Sequence, residues 1–209
     1  MKDSRGFTLI EMVVVLAVIA ILAAILTPIV TSYVEKARVN TATSDVKKIA
    51  AAVIQFNTDT KVWPIYTSTS FPTEATGVNS TVYDFAATAG NDAIVPVSGT
   101  GHDWPLSGGT AGDLNAIVNQ NAMGLGLTGN RAWHGAYSEM GEDPWGTKYY
   151  INAKFLKPGA TSTHGGAGSA TPTAVYIISA GPDQTLNTDF DQATNAFVPN
   201  GDDIVARIK

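Results

Sequence analysis

The 209-residue chain contains no cysteine. That excludes disulfides, thiolate catalysis and cysteine-ligated zinc, so loops carried outside the cytoplasm must be held by other means. Charge is also scarce, at 15% of residues, with 13 Lys and Arg against 18 Asp and Glu and a formal net charge of −5. Nucleic-acid binding needs clustered Lys and Arg to displace counterions, so nucleic acid is not an expected partner. Catalytic signatures are missing too: the sequence has no G-x-S-x-G elbow and no H-E-x-x-H, and its carboxylates show no recognisable pairing. His102, His134 and His164 are far apart and read as surface histidines, with His102 close enough to Asp103 to pair. Gly124 to Gly129 spells G-x-G-x-x-G but follows an expected helix rather than a strand, which fails the dinucleotide context. No catalytic site and no enzyme activity are expected.

What the sequence does have is concentrated at its start. From Met12 to Val30 no residue is charged. A helix over Phe7 to Val30 would be roughly 36 Å long at 1.5 Å per residue, more than the ~30 Å hydrocarbon thickness of a bilayer. An ordinary signal peptide would have a shorter apolar region and a small-residue cleavage site, whereas here the run reads Pro28-Ile29-Val30-Thr31. The pattern then continues as an amphipathic helix, with Val39, Ala42, Val46, Ile49, Ala50 and Val53 at three- and four-residue steps and Asp45, Lys47 and Lys48 on other faces. Asn57 and Asp59 offer turn chemistry, and Trp63-Pro64 blocks further helix. One helix is therefore expected from Phe7 to about Asn57, kinked locally at Pro28. Glu11 is the anomaly. A carboxylate there costs on the order of 2–3 kcal/mol in a membrane unless it serves a function, or unless it sits at the interface beside the positive end of the helix.

Gly6-Phe7-Thr8-Leu9-Ile10-Glu11, after a short leader carrying Lys2 and Arg5, resembles the class III signal of type IV pilins and type II secretion pseudopilins. The resemblance implies cleavage after Gly6 by a prepilin peptidase and methylation of the new amino group on Phe7. It also implies assembly roles for Phe7, Glu11 (fifth in the mature chain) and Pro28, which matches a proline common in the family. Cleavage before the apolar run leaves that run on the mature protein, free to pack against identical helices. A Phe7 amine, with an ordinary pKa of about 7.7–8.0, would pair with Glu11 of a neighbouring subunit and offset its desolvation. Loss of Met1 to Gly6 would leave 11 basic residues (13 less Lys2 and Arg5) and 17 acidic ones (18 less Asp3).

Past Trp63 the composition shifts. Residues 66–130 are rich in Thr, Ser, Gly and Ala, punctuated at Phe71-Pro72 and Trp104-Pro105, and read as a loop-rich insertion. One short helix, Asp113 to Met123, is expected there, opened by Asp113 and packing Leu114, Ile117 and Val118. Strands are expected at Lys148–Ala153, Ala174–Ala180 and Asp203–Ile208, with a flexible hairpin loop over Pro158–Pro172. The expected fold is α+β and pilin-like: a long N-terminal helix, hydrophobic in its first half, packed on a small antiparallel sheet whose other face is largely solvated. The expected organisation is a leader (1–6), a transmembrane or filament-core segment (7–30), an amphipathic segment (31–60) and a globular head (61–209). The head divides into the insertion (66–138) and the sheet with an acidic C-terminal loop (139–209).

Asp143-Pro144-Trp145-Gly146, Tyr149-Tyr150-Ile151, Ser179-Ala180-Gly181-Pro182-Asp183 and Asp202-Asp203-Ile204 follow in an order that resembles the C-terminal half of the major pseudopilin of type II secretion. Lys61-Val62-Trp63-Pro64 resembles that family's segment after the long helix. The family's acidic loop binds calcium, which implies Asp183 and Asp203 as ligands with backbone carbonyls near Ala180. Asp189, Asp191 and Asp202 crowd the same stretch, and repelling carboxylates that share a cation suit Ca²⁺, which takes 6–8 oxygens. The loop departs from the family at Gln184-Thr185-Leu186-Asn187, which is neither glycine-rich nor acidic. The resemblance further implies a helical homo-oligomeric filament, with minor pseudopilins or pilins and an inner-membrane assembly platform as partners. It implies a single pass through the inner membrane, with the C-terminal domain periplasmic or extracellular. Type IV pilins often close this region with a disulfide, which this chain lacks, so secretion is favoured. The Thr/Ser/Gly-rich insertion favours the alternative, a surface or minor adhesive pilin.

Overall fold

A computed structural model describes residues 7–65, 84–88, 95–96, 104, 111–129, 131–157, 160–162, 171–195 and 197–209. The leader, most of the insertion (with Phe71-Pro72, Pro105, His102-Asp103) and His164 lie outside the described residues.

Helix α1 spans Leu9–Thr60 and runs through Pro28. It starts in a capping box: Thr8 Oγ1 accepts from the Glu11 N–H at 3.3 Å, and Glu11 Oε2 accepts from the Thr8 N–H at 2.8 Å. Thr8 and Glu11 thus satisfy two donors that a helix start otherwise leaves without partners. No glycine interrupts the helix. At its end the Thr60 hydroxyl donates to the Phe56 carbonyl at 2.6 Å, and Lys61 turns into the left-handed region (φ 58°) with its N–H on the Asn57 carbonyl. The stretch to Arg38 forms one unit, and Val39–Lys209 forms another. Within the second unit α1 buries Ala42, Val46, Ile49, Ala50, Val53, Phe56 and Thr60, one stripe at helical spacing.

The strands, in chain order, are β1 (Phe85–Ala87), β2 (Val95–Pro96), β3 (Ala111–Asp113), β4 (Tyr150–Ile151), β5 (Thr161–Ser162), β6 (Thr171–Pro172), β7 (Tyr176–Ser179), β8 (Thr185–Leu186) and β9 (Ile204–Arg207). Five form the main sheet, in the order β3-β1-β4-β7-β9. It is mixed where an antiparallel sheet was expected, because β3 lies parallel to β1. A parallel neighbour cannot be joined by a tight turn, and β1 and β3 are separated in the chain by residues 88–110. The rest is antiparallel, in registers that include Tyr150 opposite Ile178 and Ser179 opposite Ile204. Two-stranded ribbons pair β2 with β8 and β5 with β6, the latter inside the stretch expected as a loop, and an isolated bridge joins Thr173 to Ala193.

The far face of the sheet is covered, not solvated. Tyr150, Tyr176 and Phe190 meet the Trp104 ring at centroid distances of 5.1 to 6.0 Å, and the Trp104 indole N–H donates to the Thr188 carbonyl. β7 is consequently buried on both faces. On the near face Tyr149 reaches α1, its hydroxyl donating to Asp45 Oδ2 at 3.3 Å. Helix α2 is shorter than expected, Leu114–Asn119, but Asp113 caps it by accepting from the Ala116 N–H, and Leu114, Ile117 and Val118 are buried. It stops early because the Asn119 side chain serves residues 115, 137 and 138, and Asn121 adopts φ 52°.

Candidate functional site

Two features stand apart from the core: the N-terminal helix and the acidic loop after β7. Eighteen large apolar side chains from Phe7 to Val34 are exposed. Burial of each is worth about 1.5–3 kcal/mol, so leaving them in water costs on the order of tens of kcal/mol. Such a surface is suited to a membrane or to another apolar protein surface. Among the described residues α1 is the helix long and apolar enough to cross a membrane.

Phe7 lies at the outer end of this surface, and Gly6 lies outside the described residues. Glu11 sits in the first turn, where Oε2 also accepts from the Thr8 hydroxyl at 2.7 Å. No ion pair with Glu11 occurs among the described residues, so the capping box is its present partner. Thr8 is a residue the sequence reading missed, although S/T-x-x-E ahead of an apolar run is a recognisable capping signal. Pro28 is accommodated in mid-helix, with the Thr31 hydroxyl donating to its carbonyl at 3.0 Å.

The acidic loop runs from Ala180 to Asp203, between β7 and β9. Its two ends touch at Gly181 (φ 68°), where a Cβ would stand 2.5 Å from the Asp202 carbonyl oxygen. Only glycine allows that approach. Asp202 Oδ2 in turn accepts from the Asp183 N–H at 3.2 Å. Asn187 joins the other two aspartates: its side chain donates to Asp183 Oδ2 at 3.2 Å and its N–H to Asp203 Oδ2 at 2.8 Å. The Thr188 N–H adds a bond to Asp203 Oδ2 at 2.6 Å. Asp183, Asp202 and Asp203 are therefore brought together, with Ala180 fully buried beside Gly181. Asp189 is fixed through its backbone, its carbonyl accepting the Tyr176 hydroxyl. Burial, with the charges of Asp203, Asp189 and Asp191, pushes the Tyr176 phenol well above its ordinary range.

One feature of this loop would suit a cation. Asp203 Oδ1 is buried with no hydrogen-bond partner among the described residues, and burial pushes the Asp203 carboxyl up to about 7. A buried carboxylate oxygen left without a partner is costly, and a hard cation beside it would remove the cost. Side chains alone do not build a coordination shell: among the described residues no three His, Cys, Asp or Glu groups converge as metal ligands. Calcium would have to draw on backbone carbonyls, which it accepts readily.

The Gly124–Gly129 segment is a turn that follows α2. Asn121 clasps Leu125 through both its N–H and its carbonyl, and Met123 and Leu125 enter the core. His134, the described histidine of the three, is exposed, as expected of a surface histidine, and donates its backbone N–H to the Tyr137 hydroxyl.

Residues 1–27 match the family model described as the prokaryotic N-terminal methylation motif. Type II secretion system core protein G of Pseudomonas aeruginosa is 41% identical over 63 residues, 30% of this chain and 44% of that protein. Fimbrial protein EcpC of Eikenella corrodens is 27% identical over 169 residues, 81% of this chain and 94% of that protein. No solved structure matches.

Proposed function

We propose that the chain is a pilin-like structural subunit rather than an enzyme, and that it is the major pseudopilin of a type II secretion system. In this reading Gly6–Phe7 is cut by a prepilin peptidase and the Phe7 amine is methylated. The subunit is held in the inner membrane by one pass of α1, with the head on the periplasmic side. It then joins a helical homo-oligomeric filament together with minor pseudopilins, on an inner-membrane assembly platform. The observation that carries it is the exposed apolar helix that begins at Phe7 and holds Glu11 in its first turn. A neighbour's Phe7 amine could replace the Thr8 donors on Glu11, neutralising the carboxylate as the helices pack. The Asp143-Pro144-Trp145-Gly146 turn, the acidic loop and the identity to core protein G over 63 residues favour the secretion branch.

Calcium belongs to the same reading. Asp183 and Asp203, with Asp202 and carbonyls around Ala180, would hold the ion, and its charge would stabilise a loop that now keeps a buried carboxylate oxygen without a partner. Asp189 contributes to the negative field of the loop.

A second reading, a surface pilin, is favoured by the likeness to a fimbrial protein along 94% of that protein's length. Expression in cells with a prepilin peptidase, followed by shearing and mass determination, tests both. Both predict a chain beginning at methylated Phe7. Retention in the envelope fraction supports the secretion subunit, and recovery of the chain in sheared surface fibres would overturn it. An intact Met1–Gly6 leader would contradict both.

A further inference from the structure

Asp143 is a buried carboxylate outside the acidic loop, and its bonding is unusually complete. Oδ1 accepts the Trp145 N–H at 3.0 Å and the Thr147 N–H at 2.8 Å, and Oδ2 accepts the Thr147 hydroxyl at 2.5 Å. Those three bonds close the turn over Asp143–Thr147, with help from Gly146 at φ 85° and its N–H on the Asp143 carbonyl. A fourth leaves the turn. The Ser179 hydroxyl, at the end of β7, donates to Asp143 Oδ2 at 2.7 Å. Ser179 Oγ in turn accepts the Gly181 N–H at 3.2 Å. Gly181 is the residue packed against the Asp202 carbonyl where the two ends of the acidic loop meet. A second strut runs parallel, from the Gln184 side-chain amide to the Trp145 carbonyl at 3.2 Å, and Gln184 itself holds φ 57°.

No salt bridge to Asp143 occurs among the described residues, and a buried carboxylate is then a costly way to close a turn that a backbone bond already closes. Its charge strengthens each bond it accepts, and one of the four is spent outside the turn. We propose that Asp143 is a positioning residue for the acidic loop: through Ser179 it fixes the Gly181 backbone, and so sets the mouth at which Asp183, Asp202 and Asp203 meet. The relay has a direction. Thr147 and Ser179 share one oxygen, but only Ser179 passes the constraint on to the loop. The consequence for calcium rests on the calcium reading above; the consequence for loop order does not.

The test compares Ser179→Ala with Thr147→Val in the full chain in detergent. Each variant removes one hydroxyl from Asp143 Oδ2, so a merely structural role predicts similar behaviour. Hydrogen exchange of segment 180–188, measured without calcium, is expected to quicken about tenfold in Ser179→Ala and to stay within about twofold in Thr147→Val. Equal exchange in the two variants, or no change in Ser179→Ala, would overturn the proposal. Calorimetric titration of Ca²⁺ is the second arm, with an approximately tenfold weaker affinity expected for Ser179→Ala alone. If the unsubstituted chain takes up no Ca²⁺, the calcium reading fails while the exchange arm still decides the relay. Should it bind Ca²⁺ with an affinity that neither variant changes, the calcium reading stands and the relay is rejected.

Discussion

Asp203 shows how a single side chain can be held in a state its surroundings do not favour. Burial raises its folded pKa to about 7, above the 3.8 of the free side chain, so between those values the folded state holds a proton that the unfolded state does not. Stability from this group is complete below pH 3.8 and is lost as pH rises through 7, with a slope of up to about 1.4 kcal/mol per pH unit. Thermal melts of calcium-free protein from pH 4 to 8 should show this loss, and Asp203→Asn should flatten the curve by that amount. Identical pH dependence in the two proteins would mean that Asp203 is not desolvated as described. Added calcium acts in the opposite sense, since a cation favours the ionised carboxylate, and should restore stability at pH 8. Asp183, Asp202 and Asp203 were legible in the sequence as a crowd of acids in a chain with few charges. Their organiser, Asn187, was not, because an amide carries no charge pattern and its role appears only once the loop folds back.

At the scale of elements, α1 was the most legible. Its apolar run and its later stripe at Ala42, Val46, Ile49 and Val53 are both periodic signals, and each appears as read. Its C-terminal end was less so: the helix continues to Thr60, past Asn57, because the Thr60 hydroxyl and a left-handed Lys61 satisfy the last carbonyls. A non-glycine residue in that conformation is strained, so Lys61→Gly should stabilise the protein by about 1 kcal/mol. Calorimetric melting checks this, and a fall in melting temperature would show that the Lys61 side chain contributes more than its backbone costs. The sheet was half legible. β4, β7 and β9 have β-branched or aromatic runs, whereas β1 and β3 (Phe85–Ala87 and Ala111–Asp113) are short and rich in Ala and Gly, with no strand signal of their own. They are strands because β1 pairs with β4 and β3 pairs with β1. Trp104 was visible as a punctuation beside proline, yet it is the ring against which Tyr150, Tyr176 and Phe190 pack. Sequence spacing gives no hint of a contact between residues so far apart.

The whole molecule joins a well-packed head, held without disulfides, to a helix whose first half buries nothing of its own. The head has its own core, built on α1 from Val46 onward and on both faces of β7. The exposed half therefore answers to its surroundings, which in the proposed function are lipid before assembly and neighbouring helices after it. Glu11 is the residue at which those two states would differ most: in the single chain it caps its own helix through Thr8, and in the proposed filament it would meet the Phe7 amine of another copy. Filament yield from Glu11→Ala, compared with the unsubstituted chain in cells that supply the peptidase and assembly machinery, tests this most directly. Glu11→Ala is expected to be processed at Gly6–Phe7, to keep the melting temperature of its head and to form at least tenfold fewer filaments. Filaments at the unsubstituted level, from a correctly processed Glu11→Ala chain, would contradict it.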